Sequence, residues 1–315
     1  MKILWKSSLS GLADRLLDLY LLATISKISG SKLCVLWQEN TNVTEFQAAV
    51  WPTSRKLDWK PEIFLQYIEL PKFISFVNES DWSAAKANEY YEFSHYLGGI
   101  HSPESFYAQY EYELKEHLGV TITNDDFVKQ FYQLIHQIKP TRQLNELLGS
   151  MQIPDIGVHL RRTDKVVLNP DVGQIHTSEL SFLNAITRIY LNSILKMSRH
   201  QQICLYFCSD DPLVRVRWEK LYCEDKNLKI IKLPPMLKDY ETTYFDLFML
   251  SRCKSIVMSQ RHSNFSLFAS LINRSKLVYF YKNNPMNVAG HFKNMKLFTL
   301  SLLQKIHLKL KLIRH

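Results

Sequence analysis

At 315 residues the chain suits two domains of ordinary size, and 46% hydrophobic with 22% charged residues is the mix of a soluble globular protein with a sizeable core. Lysine and arginine outnumber aspartate and glutamate by 39 to 30, and the resulting +9 fits an anionic small molecule, an anionic membrane surface or nucleic acid without choosing among them. The five cysteines (Cys34, Cys204, Cys208, Cys223 and Cys253) are odd in number and form no CxxC, which argues against a disulfide framework or a zinc site and for a reducing, cytoplasmic setting.

Lys2 to Trp5 reads as a strand, broken by SSLSG. LADRLLDLYLLATISKISG then spaces its leucines as a helix, with Gly30 as the stop. Asp14, Arg15 and Asp18 interrupt any signal-like apolar core, and no run reaches about 18 uncharged apolar residues, so neither export nor a membrane span is expected. KLCVLWQ is the next strand, completing the strand, turn, helix, strand order of a parallel sheet. From Thr41 to Ser150 aromatic residues and short polar breaks dominate. Within that region, NDDFVKQFYQLIHQIKPTRQLNELLGS reads as helical with a break at Pro140.

A second unit begins near Ile153. Ile153, Ile156, Val158 and Leu160 read as a short buried strand, and further strands are expected at QICLYFCSD, LKIIKL, KSIVMS and KLVYFY. Helical patterns separate most of them, notably SELSFLNAITRIYLNSILKMS and TTYFDLFMLSRC. The expected fold is α/β: two Rossmann-like domains, 1–148 and 149–315, facing a cleft that holds the ligand chemistry at the strand ends.

Three clusters look like a site. The strand from Ile153 runs into HLRRTDK, where alternation puts His159 and Arg161 on one face. Arg161 and Arg162 together need an anion or carboxylates; a diphosphate fits the guanidinium fork, with Asp164 orienting one arginine, and a structural salt-bridge cluster is the alternative. FCSDDP follows another strand, with Asp211 as the cap of a helix starting at Pro212 and Asp210 pointing into the loop above the sheet. Adjacent aspartates also suggest a metal, but no further carboxylates stand at suitable spacing. Third, Asp246 lies in an apolar helix where a lone carboxylate must find donors, and SQRHSNFS leads from a strand into a helix. Ser263 and Ser266 there either help to hold a phosphate or serve as plain caps.

That order of motifs resembles the GDP-fucose-dependent fucosyltransferases, particularly the α1,6-type and nodulation-factor enzymes, over about residues 153 to 275. HLRRTDK, SDDP and FDLFMLS are similar to their motifs, SQRHSNFS is a looser match, and SGLADR with Gly11 resembles the glycine turn of a wider superfamily that includes the α1,2- and protein O-fucosyltransferases. The resemblance implies a two-Rossmann, GT-B-like fold, GDP-fucose bound mostly by the C-terminal domain, and inversion of the anomeric centre with no metal or other cofactor. It implies that Arg161 binds the β-phosphate, that His159 and Asp246 contact the guanosine part, and that Asp210 and Asp211 hold the nucleotide-sugar region. Ser263 would then donate to the diphosphate, and Lys165 would belong to the catalytic cluster.

Two departures stand out. The segment VVLNPDVGQIH has no glutamate where the α1,6-type enzymes carry their base, which leaves Asp171 or Asp14 as candidates; Ala13 stands where relatives often have a second glycine. The expected activity is transfer of fucose to a glycan or glycolipid, α1,6-type, with α1,2 linkage or a catalytically weak nucleotide-sugar binder as alternatives. The aromatic region DWSAAKANEYYEFSHYLGGIHSPESFYAQYEYEL serves either sugar stacking or the core. The basic tail KLFTLSLLQKIHLKLKLIRH is either a packed terminal helix or a peripheral contact with the inner face of an anionic membrane. Nucleic acid is not expected as a partner, because the motif-bearing basic residues gather at a strand end.

Overall fold

The computed structural model describes residues 1–7, 11–38, 61–86, 90–93, 102–160, 202–209, 212–237, 239–258, 263–281 and 284–286. The chain divides into two units, one of Met1–Gly149, Lys238–Phe245 and Leu267–Asn273, the other of Ser150–Leu237, Asp246–Ser266 and Arg274–His315.

The chain up to Gly149 runs β1 (Lys2–Lys6), α1 (Leu12–Ser29), β2 (Lys32–Leu36), α2 (Pro61–Tyr67), β3 (Ile68–Glu69), β4 (Ile74–Phe76), α3 (Glu79–Ala85), β5 (Tyr90–Phe93), α4 (Pro103–Leu118), α5 (Asn124–Ile135), β6 (Lys139–Pro140) and α6 (Arg142–Gly149). Four strands form a parallel sheet in the order β4-β2-β1-β5, while β3 and β6 pair antiparallel. From Leu12 to Ser26 every residue of α1 except Asp14 is buried. A mostly apolar helix buried on all sides lies in the interior, and this one carries Arg15 and Asp18 in with it. It stops at Gly30, whose φ of 66° is left-handed and whose N–H bonds back to the Ser26 carbonyl.

The break expected at Pro140 falls between α5 and α6, where a proline cannot continue the helix. The aromatics of the preceding region that the structure describes are mostly core: Trp82, Phe93, Phe106, Tyr107 and Tyr110 are buried, and Phe106 stacks on Phe127 at 5.7 Å. Among the described residues Tyr112 and Tyr90 are exposed, at 71% and 38%.

The rest of the chain runs β7 (Ile156–Leu160), β8 (Ile203–Ser209), α7 (Pro212–Tyr222), β9 (Leu228–Ile231), α8 (Asp239–Arg252), β10 (Ser255–Met258), α9 (Asn264–Asn273), β11 (Lys276–Tyr281) and β12 (Asn284–Met286). Its sheet has the order β12-β11-β10-β7-β8-β9, parallel except for the β11–β12 edge. Read from β9, and counted from β7 among the described strands of this sheet, the order is third, second, first, fourth, fifth and sixth. That is doubly wound topology, and the order reverses between β7 and β10. Ligands bind such sheets beyond the carboxyl ends of the strands at the reversal.

Every residue of β7 is buried, as a central strand covered on both faces requires. Ile156, Val158 and Leu160 pack with Leu205, Phe207, Val214 and Trp218, so Gly157 and His159 alternate to the other face. A Cβ on Gly157 would stand 2.7 Å from both the Cys253 sulfur and a Leu250 methyl, so the end of α8 closes directly onto the strand. Ile153 does not join the strand as expected. It is 54% exposed, because Pro154 has no N–H to offer the ladder. Two expected features, the helix at SELSFLNAITRIYLNSILKMS and the basic tail, lie outside the described residues. No described helix is long and apolar enough to cross a membrane.

Candidate functional site

The carboxyl end of β7, at the reversal point, carries His159, in register with Met258 of β10 and Cys208 of β8. The first turn of α9 lies over it. Ser266 Oγ is 2.6 Å and Ser263 Oγ 3.2 Å from His159 Nδ1, and the Phe265 ring packs on the imidazole at 5.3 Å. All three polar side chains are buried. Nearby, the Ser209 hydroxyl donates to the Leu160 carbonyl at 2.9 Å, tying the end of β8 to the end of β7. The chain leaves these two ends for Arg161 and Asp210 respectively. Thus His159 meets Ser263 and Ser266, far on in the sequence, as one cluster at the end of β7.

Asp246 finds the donors that its apolar helix demanded. Tyr206 on β8 donates its hydroxyl to Oδ1, and Arg215 on α7 donates from Nη2 to Oδ2 at 2.6 Å. The three residues are buried, so both oxygens of the carboxylate are satisfied from within the second unit. Burial disfavours the Arg215 cation, but Asp246 beside it more than offsets this and holds the guanidinium above its ordinary value. Burial, followed by the Asp246 charge, keeps the Tyr206 hydroxyl protonated and therefore a donor. Two further Arg215 nitrogens, Nε and Nη1, are buried without a hydrogen-bond partner among the described residues. Sequence reasoning missed both Tyr206 and Arg215. An arginine in the first turn of VRVRWEKLY reads as solvated; its position beside core Val214 was the available signal.

In the first unit, Gly11 caps α1 without a side-chain bond, and its carbonyl accepts from the Arg15 N–H at 3.1 Å. A Cβ on Gly11 would sit 3.3 Å from Asp14 Oδ2, so the glycine brings the backbone close to this carboxylate. Arg15 is wholly buried: Nη1 donates to the Gln38 carbonyl at 2.7 Å, and the guanidinium lies 4.9 Å from the centre of the Trp37 ring. Burial lowers its pKa to about 9. One turn beyond Asp14, Asp18 is 1% exposed, with its Oδ2 unbonded among the described residues. Burial first, and then the charge of Asp14, raise its pKa to about 8. The sequence reading used Arg15 and Asp18 only to interrupt an apolar run. Their place among leucines that run round the whole helix was the sign that both are interior.

Arg161, Arg162, Asp164, Lys165, Asp171, Asp210 and Asp211 lie outside the described residues. Among those described, no three His, Cys, Asp or Glu side chains are gathered as a cation would require.

The chain matches no protein-family model and no curated protein. Solved structures do resemble it. An Arabidopsis thaliana FUT1 variant in complex with GDP aligns over 88% of this chain and 70% of its own, at 10% identity and a TM-score of 0.50. NodZ α1,6-fucosyltransferase soaked with GDP-fucose aligns over 92% and 97%, at 14% identity and a TM-score of 0.49. POFUT1 in complex with GDP-fucose aligns over 89% and 97%, at 12% identity and a TM-score of 0.45. At such identities the likeness is one of architecture: this chain has the two Rossmann-like parallel-sheet domains of the GT-B fucosyltransferase structures.

Proposed function

We propose that the protein is an inverting, metal-independent fucosyltransferase that moves L-fucose from GDP-fucose to a hydroxyl of a glycan or glycolipid, α1,6-type. The observation that carries this reading is the convergence of His159, Ser263 and Ser266 at the reversal point of the second sheet. That is the same strand end from which the sequence sends Arg161, Arg162 and Lys165. Residues 149–315 then bind the donor and 1–148 serve the acceptor side.

In the reaction, the bond from fucose C1 to the β-phosphate oxygen breaks and a bond from the acceptor oxygen to C1 forms on the opposite face. The electron pair stays on GDP, whose β-phosphate gains negative charge as C1 leaves. Arg161 and Lys165 stabilise that charge best if they are already in place, because no reorganisation is then needed at the transition state. Arg162 adds to the same field, Asp164 orients one of the two arginines, and Asp210 and Asp211 help to hold the nucleotide-sugar region. The acceptor proton passes to a carboxylate, Asp171 or Asp14. Asp246 supports the guanosine side by fixing Tyr206 and Arg215 beneath it.

The test is a donor screen with purified protein, measuring nucleotide release from GDP-fucose, GDP-mannose and UDP-sugars. Selective turnover of GDP-fucose is expected. Release from a UDP-sugar but not from GDP-fucose would overturn the reading.

A further inference from the structure

We propose that Ser266 is a positioning residue: with Ser263 it gives its hydroxyl proton to His159 Nδ1 and so holds the imidazole as the neutral Nε2–H tautomer. Nε2 then becomes a fixed, uncharged hydrogen-bond donor for the nucleotide, and this last step rests on the reading just proposed.

The argument is one of proton placement. Ser266 is fully buried, and among the described residues its hydroxyl has one hydrogen-bond partner, His159 Nδ1 at 2.6 Å. Ser263, 2% exposed, likewise has Nδ1 as its partner, at 3.2 Å. Each hydroxyl carries one proton. Were Nδ1 itself protonated, both of those protons would be shut in the interior without an acceptor among the described residues, and an unmade buried hydrogen bond is expensive. With Nδ1 bare, its single in-plane lone pair accepts from the nearer serine, and the farther one shares it. A neutral imidazole with an accepting Nδ1 must carry its proton on Nε2.

Ring rotation cannot exchange the two nitrogens cheaply, because Phe265 packs on the imidazole and β7 is paired on both sides. Nε2 lies across the ring from the serines, away from the first turn of α9. The division of labour follows: His159 contributes direction without charge, and the cationic field is left to Arg161 and Lys165. Ser266 itself is sealed from ligand and acts only through the histidine.

The experiment is two-bond proton–nitrogen correlation NMR on the full chain labelled with 15N-histidine. The His159 signals are identified, among eleven histidines, by their loss in His159→Gln. Without nucleotide and at neutral pH, His159 should show a bare Nδ1 and a protonated Nε2. Ser266→Ala should move it towards the other tautomer or an average and weaken GDP binding about tenfold; Ser266→Thr, which keeps the hydroxyl, should restore both. A wild-type spectrum with protonated Nδ1, or a Ser266→Ala spectrum unchanged from wild type, would overturn the proposal. A shifted tautomer with undiminished GDP affinity would overturn the link from Nε2 to the nucleotide. The wild-type spectrum needs neither a variant nor a ligand. A bare Nδ1 in a protein that binds no GDP would therefore count against the fucosyltransferase reading alone.

Discussion

Asp18 is an acid placed where its charge is unwelcome. The folded chain holds its proton up to about pH 8, against an ordinary carboxyl value of 3.8. The folded state therefore binds more protons than the unfolded one across that window, and the stability this proton contributes is full below the window and lost as pH rises through it. The slope reaches at most about 1.4 kcal/mol per pH unit. We predict that Asp18→Asn melts above wild type near pH 9, and that the advantage shrinks steadily towards pH 5; two parallel curves would remove Asp18 as the cause. At the same scale, Arg161→Ala should slow turnover on the order of 100- to 1000-fold, about 3–4 kcal/mol, as expected for the loss of one preorganised transition-state donor. A folded variant that loses less than tenfold would exclude that role. The demands of single charges were partly legible in the sequence. An Asp246 alone in an apolar helix announced a need for donors, whereas the identity of those donors, Tyr206 and Arg215, depended on which faces of β8 and α7 turn towards α8.

Among the elements, the strands were the most legible part of the chain. A parallel strand covered on both faces must be apolar throughout, and IGVHL, ICLYFC and SIVM say so without tertiary information. Short strands such as β3 and β6, two residues each, carry no period to read. Gly157 shows what pattern alone conceals: in sequence it is a weak point in a strand, and in the fold it is the place where α8 lands. Gly157→Ala should cost roughly 1–3 kcal/mol through overpacking against Cys253 and Leu250, measurable by chemical denaturation. A change under about 0.5 kcal/mol would mean that the helix yields freely.

For the whole molecule, the surplus of nine positive charges suits a diphosphate ligand whose charge is met by side chains. GDP at about a hundredfold its Kd should add about 2.7 kcal/mol to the stability of the unit that binds it. The same rise in melting temperature is expected with excess chelator as with added magnesium or manganese. A rise seen only with metal would return Asp210 and Asp211 to the metal reading. The two-sheet architecture was legible because strand, turn and helix alternate at the spacing of parallel-sheet units. The stretch from Thr41 to Ser150 was opaque because packed aromatic residues, such as Phe93 on Phe106 and Phe106 on Phe127, follow the shape of their neighbours more than any period.

The first unit includes Lys238–Phe245 and Leu267–Asn273, two stretches synthesised long after Gly149. A ribosome that has released residues 1–149 has therefore not yet supplied everything this half requires, and its completion waits for synthesis to reach Asn273. A gene cut at that boundary would express a fragment short of its last two pieces, whose buried face should draw the late segment back if that segment is added as a separate peptide.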